Sequence, residues 1–212
     1  MVPRPTAGAP LPTTMPRVDN DSFYRYALAQ YGENAEGVHW HSTKFQQLRF
    51  GVLRGLLPPD LAPLTLVDVG CGLGDLHAFL AARGDLPRRY IGIDPVEPMV
   101  RVARERTGCN ILKADALSDP LPEADWYVCS GAMNLLTPAE TERFIERCLD
   151  ASRSGFVFNL LKGRDHSNTF NYTDPDTIRA LADRVGGALA VVEGYLAGDF
   201  SARLTRPAAD LR

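Results

Sequence analysis

The stretch LVDVGCGLGD, residues 66–75, places three glycines at alternate positions behind an aliphatic run. Gly70, Gly72 and Gly74 weaken a chain unless its backbone must turn sharply there or approach something closely. Asp94 follows 20 residues after Gly74, and a carboxylate at a strand end can accept hydrogen bonds from ribose hydroxyls. Asp115 follows another apolar stretch and could reach a base edge. Ser130 and Gly131 close the next stretch, where a substrate would lie. Asp68 stands inside the first apolar run, a costly place for a carboxylate unless it is hydrogen-bonded. It suits orienting the glycine loop or a ligand amine, or capping the helix that follows.

The loop spacing narrows the ligand. A dinucleotide fingerprint calls for glycine or alanine three residues after its second glycine, where this chain has Asp75. An aspartate opposes a bound pyrophosphate, whereas a nucleoside with a cationic amino-acid tail suits it.

These residues need a scaffold that brings them to one end. DSFYRYALAQYG reads as a helix ending at Gly32, and TKFQQLRFGVLRGLL as an amphipathic helix with Phe45, Leu48, Val52, Leu53 and Leu56 on one face. LTLVDVG, RYIGID, CNILKAD, ADWYVCSG and SGFVFNLL then read as strands. Helices are expected from about Asp75 to Arg83, over EPMVRVARERTG, over TPAETERFIERCLDA with a capping box at Thr137 and Glu140, and over DPDTIRALADRVG. GALAVVEGY and GDFSARLTR form a closing hairpin. Alternation of this kind predicts an α/β fold. The expected sheet is doubly wound, mostly parallel and seven-stranded, with a terminal antiparallel hairpin strand and an N-terminal helical cap. Residues 1–19 read as a disordered proline-rich tail. Residues 20–212 read as a single domain, with the cap over 20–60 and a Rossmann-like core over 64–212.

VDVGCGLGD, YIGIDP and KADALSDPLPEADWYVCSGAMNLL resemble the first three motifs of the class I S-adenosylmethionine-dependent methyltransferases, over roughly Leu64 to the C-terminus. The resemblance implies S-adenosyl-L-methionine as cofactor. Asp68 and the loop Gly70, Cys71, Gly72 and Gly74 would then hold its methionine part, and Asp94 its ribose. Pro95 and Val96 would lie along the adenine, Asp115 would face the adenine amino group, and the Ala116 amide would lie nearby. Ser130 is expected at the same site. Arg49 suits pairing with the cofactor carboxylate, or a place as a solvated helix residue. SGAMNLL is not the NPPY-type signature of amino-methylating nucleic-acid enzymes.

Methyl transfer from a sulfonium chiefly needs alignment and exclusion of water, and a hydroxyl acceptor also needs a base. His39 and His41 flank Trp40, which suits either a base beside an aromatic wall or a surface turn anchored by Trp40. His41 and Asn134 are the candidate catalytic residues. NLLKGRDHSNTFNY is long and polar enough for a lid, with His166 and Tyr172 as candidate contacts. Tyr31 suits either the pocket or the cap. His77 reads as an exposed helix residue, and Cys71 as a small loop filler without a basic neighbour to activate it.

Bulk properties exclude other classes. With 45% apolar and 23% charged residues and a net charge of −3, the chain lacks the basic footprint of a nucleic-acid binder. Its four cysteines have no metal-ligand spacing, so no metal is expected, and reduced thiols point to a cytoplasmic protein. No apolar run approaches the roughly 18 residues of a membrane span. The expected partner is a small-molecule methyl acceptor, with no nucleic acid and no membrane. The alternatives are a nicotinamide-dependent Rossmann oxidoreductase, an aminopropyltransferase, or a non-catalytic S-adenosylmethionine-binding module.

Overall fold

The computed structural model describes residues 43–163 and 170–206. Numbered within those residues, the helices are α1 (Thr43–Leu56), α2 (Asp75–Ala81), α3 (Glu97–Thr107), α4 (Pro138–Ala151) and α5 (Pro175–Val185). The strands are β1 (Thr65–Val69), β2 (Arg89–Asp94), β3 (Asn110–Lys113), β4 (Ala124–Ser130), β5 (Ser152–Leu161), β6 (Ala188–Glu193) and β7 (Asp199–Thr205). A short 3-10 turn, Ala132–Leu135, follows β4.

The seven strands form one sheet in the order β3-β2-β1-β4-β5-β7-β6. β1 pairs in parallel with both β2 and β4, so strand order reverses beside it. β7 runs antiparallel to β5 on one side and β6 on the other, as the closing hairpin predicts. All five residues of β1 are buried, in keeping with a central strand covered on both faces.

Alternation along the strands sorts the core into two layers. Val67, Val69, Tyr127 and Phe156 face α4 and α5, while Leu66, Val128 and Val157 face α1 and α2. The helix ends follow local chemistry. At α4 the Glu140 N–H donates to Thr137 Oγ1 at 3.3 Å and the Thr137 N–H to Glu140 Oε2 at 3.0 Å, the reciprocal capping box. α3 carries Pro98 in its first turn and ends on Gly108 at φ 65°.

One helix face differs from expectation. The buried stripe of α1 is Gln46, Phe50, Leu53 and Leu56, whereas Phe45 and Leu48 are each 39% exposed. Both stripes satisfy helical periodicity. The packing decides between them: α1 lies on β5 and β7, and the Phe50 ring meets Phe79 of α2 edge-on at 5.5 Å. The expected cap helix, His39, Trp40, His41, Tyr31, His166 and the proline-rich tail lie outside the described residues. No helix of the described residues is long and apolar enough to cross a membrane.

Candidate cofactor and acceptor site

A cleft partly open to solvent lies at the carboxyl ends of β1, β2 and β4. This is where strand order reverses and where open α/β sheets take ligands. Its wall runs along the glycine loop from Gly70 to Leu73, across Asp94, Pro95 and Val96, and back along Ser130 to Asn134.

The glycines have separable reasons. Gly70 sits at φ 76°, and a Cβ there would lie 2.2 Å from the Ala132 Cβ, so the loop and the turn after β4 touch only because that Cβ is missing. Gly74, at φ 83°, would bring a Cβ to 2.7 Å from Thr107 Cγ2. It lets the loop seat against α3 and does not line the cleft.

Asp94 ties the loop to β2. Its Oδ2 accepts the Gly72 N–H at 3.0 Å and its Oδ1 accepts the Val96 N–H at 2.9 Å. An ionised carboxylate has about four acceptor sites, so capacity remains for ligand hydroxyls. Burial raises its pKa to about 6 against the lowering effect of those two donors.

Asp68 lines the cleft from β1. Its carboxyl accepts the Tyr90 hydroxyl at 2.5 Å, and burial raises its pKa to about 7, Tyr90 opposing and Asp94 and Asp75 adding to the rise. The reading of Asp68 as a cap for α2 is not met: the N-cap is Gly74, with no side-chain cap bond. Burial also pushes the Cys71 thiol well up, so it holds its proton while packing against Gly92, where a Cβ would lie 2.8 Å from its sulfur.

Four expected contacts are not brought to the described cleft. Besides Gly74, Arg49 is turned to β7, where its guanidinium pairs with Asp199. Asp115 Oδ1 instead accepts the Leu117 N–H at 2.9 Å, turning the chain after β3. Ala116 is buried in the core, its carbonyl accepting Arg147 Nε at 2.7 Å. Neither of these two lines the cleft. His77 is partly covered, its ring edge-on to Tyr90 at 5.0 Å, and burial lowers its pKa.

Other residues reach the cleft unannounced by the sequence. Gln46 and Phe50 close it from α1, with Gln46 Nε2 donating to Asp75 Oδ2 at 2.9 Å. Phe170 covers it from the segment after β5. That segment is pinned where the Asn171 N–H donates to the Asn134 carbonyl at 2.6 Å and its Nδ2 to Thr141 Oγ1 at 3.0 Å. The polarity of NLLKGRDHSNTFNY was the available signal, but nothing in it singled out Phe170. Tyr172 is instead bridged to Leu161.

Among the described residues the formal charges of the lining are Asp68, Asp75 and Asp94, all negative, with no lysine, arginine or histidine. Among the same residues no cluster of three histidine, cysteine, aspartate or glutamate side chains could hold a metal ion. The four cysteines are free thiols.

The family described as "Methyltransferase domain" matches residues 66–155. Rv1506c of Mycobacterium tuberculosis, which carries a methyltransferase name, is 35% identical over 137 residues, 58% of this chain and 80% of that protein. Among solved structures, magnesium protoporphyrin IX methyltransferase from Synechocystis PCC 6803 with bound S-adenosylmethionine superposes with a TM-score of 0.68. It is 15% identical, with 90% of this chain and 98% of that one covered. A methyltransferase from Haloferax volcanii, solved with its activator Trm112, also reaches a TM-score of 0.68. That match is 17% identical and covers 90% of this chain and all (100%) of that one.

Proposed function

Because the chain belongs to the class I S-adenosylmethionine-dependent methyltransferases, we propose that it methylates a small molecule held in this cleft beside S-adenosylmethionine. One observation carries the reading: every charged side chain among the described residues of the lining is a carboxylate. A cofactor with a sulfonium and an ammonium group matches that field, and a pyrophosphate opposes it. The field thus speaks against the nicotinamide alternative.

The residues fit the cofactor. Asp94 has acceptor capacity left for ribose hydroxyls, and Pro95, Val96 and Met99 supply an apolar shelf for a base. Asp68 and the glycine loop would hold the amino-acid end. Bound there, S-adenosylmethionine supplies an activated methyl group whose transfer is an in-line displacement.

The chain's own residues then bind, align and exclude water. Phe50 and Phe170 cover the cleft, while Ser130 and Asn134 face it from the end of β4. His41 remains the proposed base for a hydroxyl acceptor. A small acceptor is favoured by a cleft enclosed from α1 and from the segment after β5, and by the absence of lysine and arginine from the described lining.

Calorimetric titration with S-adenosylmethionine, S-adenosylhomocysteine and NAD tests the reading. Saturable binding of the first two without NAD is expected. Binding of NAD alone would overturn it.

A further inference from the structure

Among the described residues, four buried polar side-chain atoms have no hydrogen bond of regular geometry: Ser130 Oγ, Asn134 Oδ1, and both amide atoms of Asn159. Most buried polar atoms are partnered, and an unmet one lowers stability. These four are not scattered. Ser130 and Asn159 are paired in register across β4 and β5, so their side chains share the face covered by α1. Asn134 lies one turn beyond Ser130, and Ser130 and Asn134 both line the cleft. Asn159 is therefore the deep neighbour of the lining, completely enclosed.

The layer behind Asn159 is neutral. Asn159 is also in register with Ser201 of β7, whose hydroxyl lies 2.8 Å from the Tyr195 hydroxyl. Tyr195 donates to Asp199, and Asp199 is paired with Arg49. Asn159 approaches Asp199 closely enough to favour its ionised form, without a hydrogen bond of regular geometry. The Arg49 guanidinium is thus taken up by a carboxylate and is not offered to a ligand.

Resting on the methyltransferase reading, we propose that Ser130 and Asn134 form the acceptor subsite, with the enclosed Asn159 positioning Ser130 from behind, and that this subsite selects an uncharged hydroxyl or amine and rejects anions. The unmet Asn134 amide oxygen and the Ser130 hydroxyl accept N–H or O–H donors. An anionic acceptor would meet no cation among the described lining residues, and would face the carboxylates of Asp68, Asp75 and Asp94. The unmet atoms are a cost in the free protein that a donor-bearing ligand removes. The row would therefore serve binding at the expense of stability.

The experiment uses the full chain saturated with S-adenosylhomocysteine at pH 7.5, titrated calorimetrically with catechol, aniline and benzoate. These probes share one ring and differ in the group presented. Catechol or aniline is expected to bind saturably, with benzoate at least tenfold weaker. Asn159→Leu should weaken the donor probe at least tenfold while holding S-adenosylhomocysteine affinity within twofold. It should also raise the thermal midpoint of the ligand-free protein. Should Asn159→Leu fail to fold, Asn159→Ala makes the same comparison with a smaller change.

Equal or tighter binding of benzoate, no binding of either donor probe, or donor binding unchanged in the variants would each overturn the proposal. So would a tenfold loss of S-adenosylhomocysteine affinity in the variants, which would assign the row to the cofactor. Failure of the wild-type chain to bind S-adenosylhomocysteine is a different result, and it removes the methyltransferase reading itself.

Discussion

The Tyr90 hydroxyl of β2 donates to Asp68 Oδ2 of β1 at 2.5 Å, with both side chains buried on the face toward α2. Tyr90 does not line the cleft, whereas Asp68 does, so Tyr90 acts on the site by positioning Asp68 and stabilising its charge. Tyr90→Phe should raise the Asp68 pKa further and weaken S-adenosylhomocysteine binding about tenfold near neutral pH, the equivalent of one charged hydrogen bond. Calorimetry from pH 6 to 9 checks this. A purely structural role for Tyr90 would lower stability without moving the pH at which affinity changes.

Asp94→Ala should weaken S-adenosylhomocysteine binding by about two orders of magnitude, since it removes the proposed ribose acceptor and frees the Gly72 amide. Circular dichroism should still report a folded chain, because β2 keeps its pairings with β1 and β3. Unchanged affinity would remove the ribose assignment.

Asp68 and Asp94 make stability depend on pH in the direction opposite to that of paired surface carboxylates. Their pKa values rise from 3.8 to about 7 and about 6 on folding. Between pH 4 and 7, roughly, the folded chain therefore holds protons that the unfolded chain has released, and this contribution to stability is lost as pH rises. Asp68→Asn should gain stability relative to the wild type as pH increases across that window, measured by urea unfolding of the ligand-free protein. A constant difference would show that Asp68 ionises normally.

Arg49→Met should cost about 3–5 kcal/mol, because it leaves the enclosed Asp199 carboxylate without its cation. Adding Asp199→Leu should restore most of that loss. Neither residue lines the cleft, so S-adenosylhomocysteine affinity should stay within twofold in the double variant. A tenfold loss would return Arg49 to the cofactor carboxylate.

Much of the scaffold was legible because its signals are local. Thr137 with Glu140, Pro98 with Gly108, and the alternating apolar runs each prescribe their own element. The glycine loop and Asp94 were legible for the same reason. What the sequence hid depends on packing between distant segments. Arg49 looked available until β7 presented Asp199, 150 residues away, and the face of α1 was ambiguous until Phe79 met Phe50. Nothing within SGFVFNLL or NLLKGRDHSNTFNY singled out Asn159, and only its register with Ser130 and Ser201 sets it in a row.

The place of β7 also bears on how the chain is made. Arriving last of the seven strands, it occupies the position between β5 and β6 rather than an edge. The surface on which α1 rests is therefore incomplete until residues beyond Thr205 have cleared the ribosome. A nascent chain can assemble the half from β1 to β4, where Gln46 and Phe50 meet Asp75 and Phe79 of α2, long before the β5 and β7 surface under the rest of α1 exists. Closure of such sequence-distant contacts is slow, so the seating of α1 on β7 belongs among the later steps of assembly.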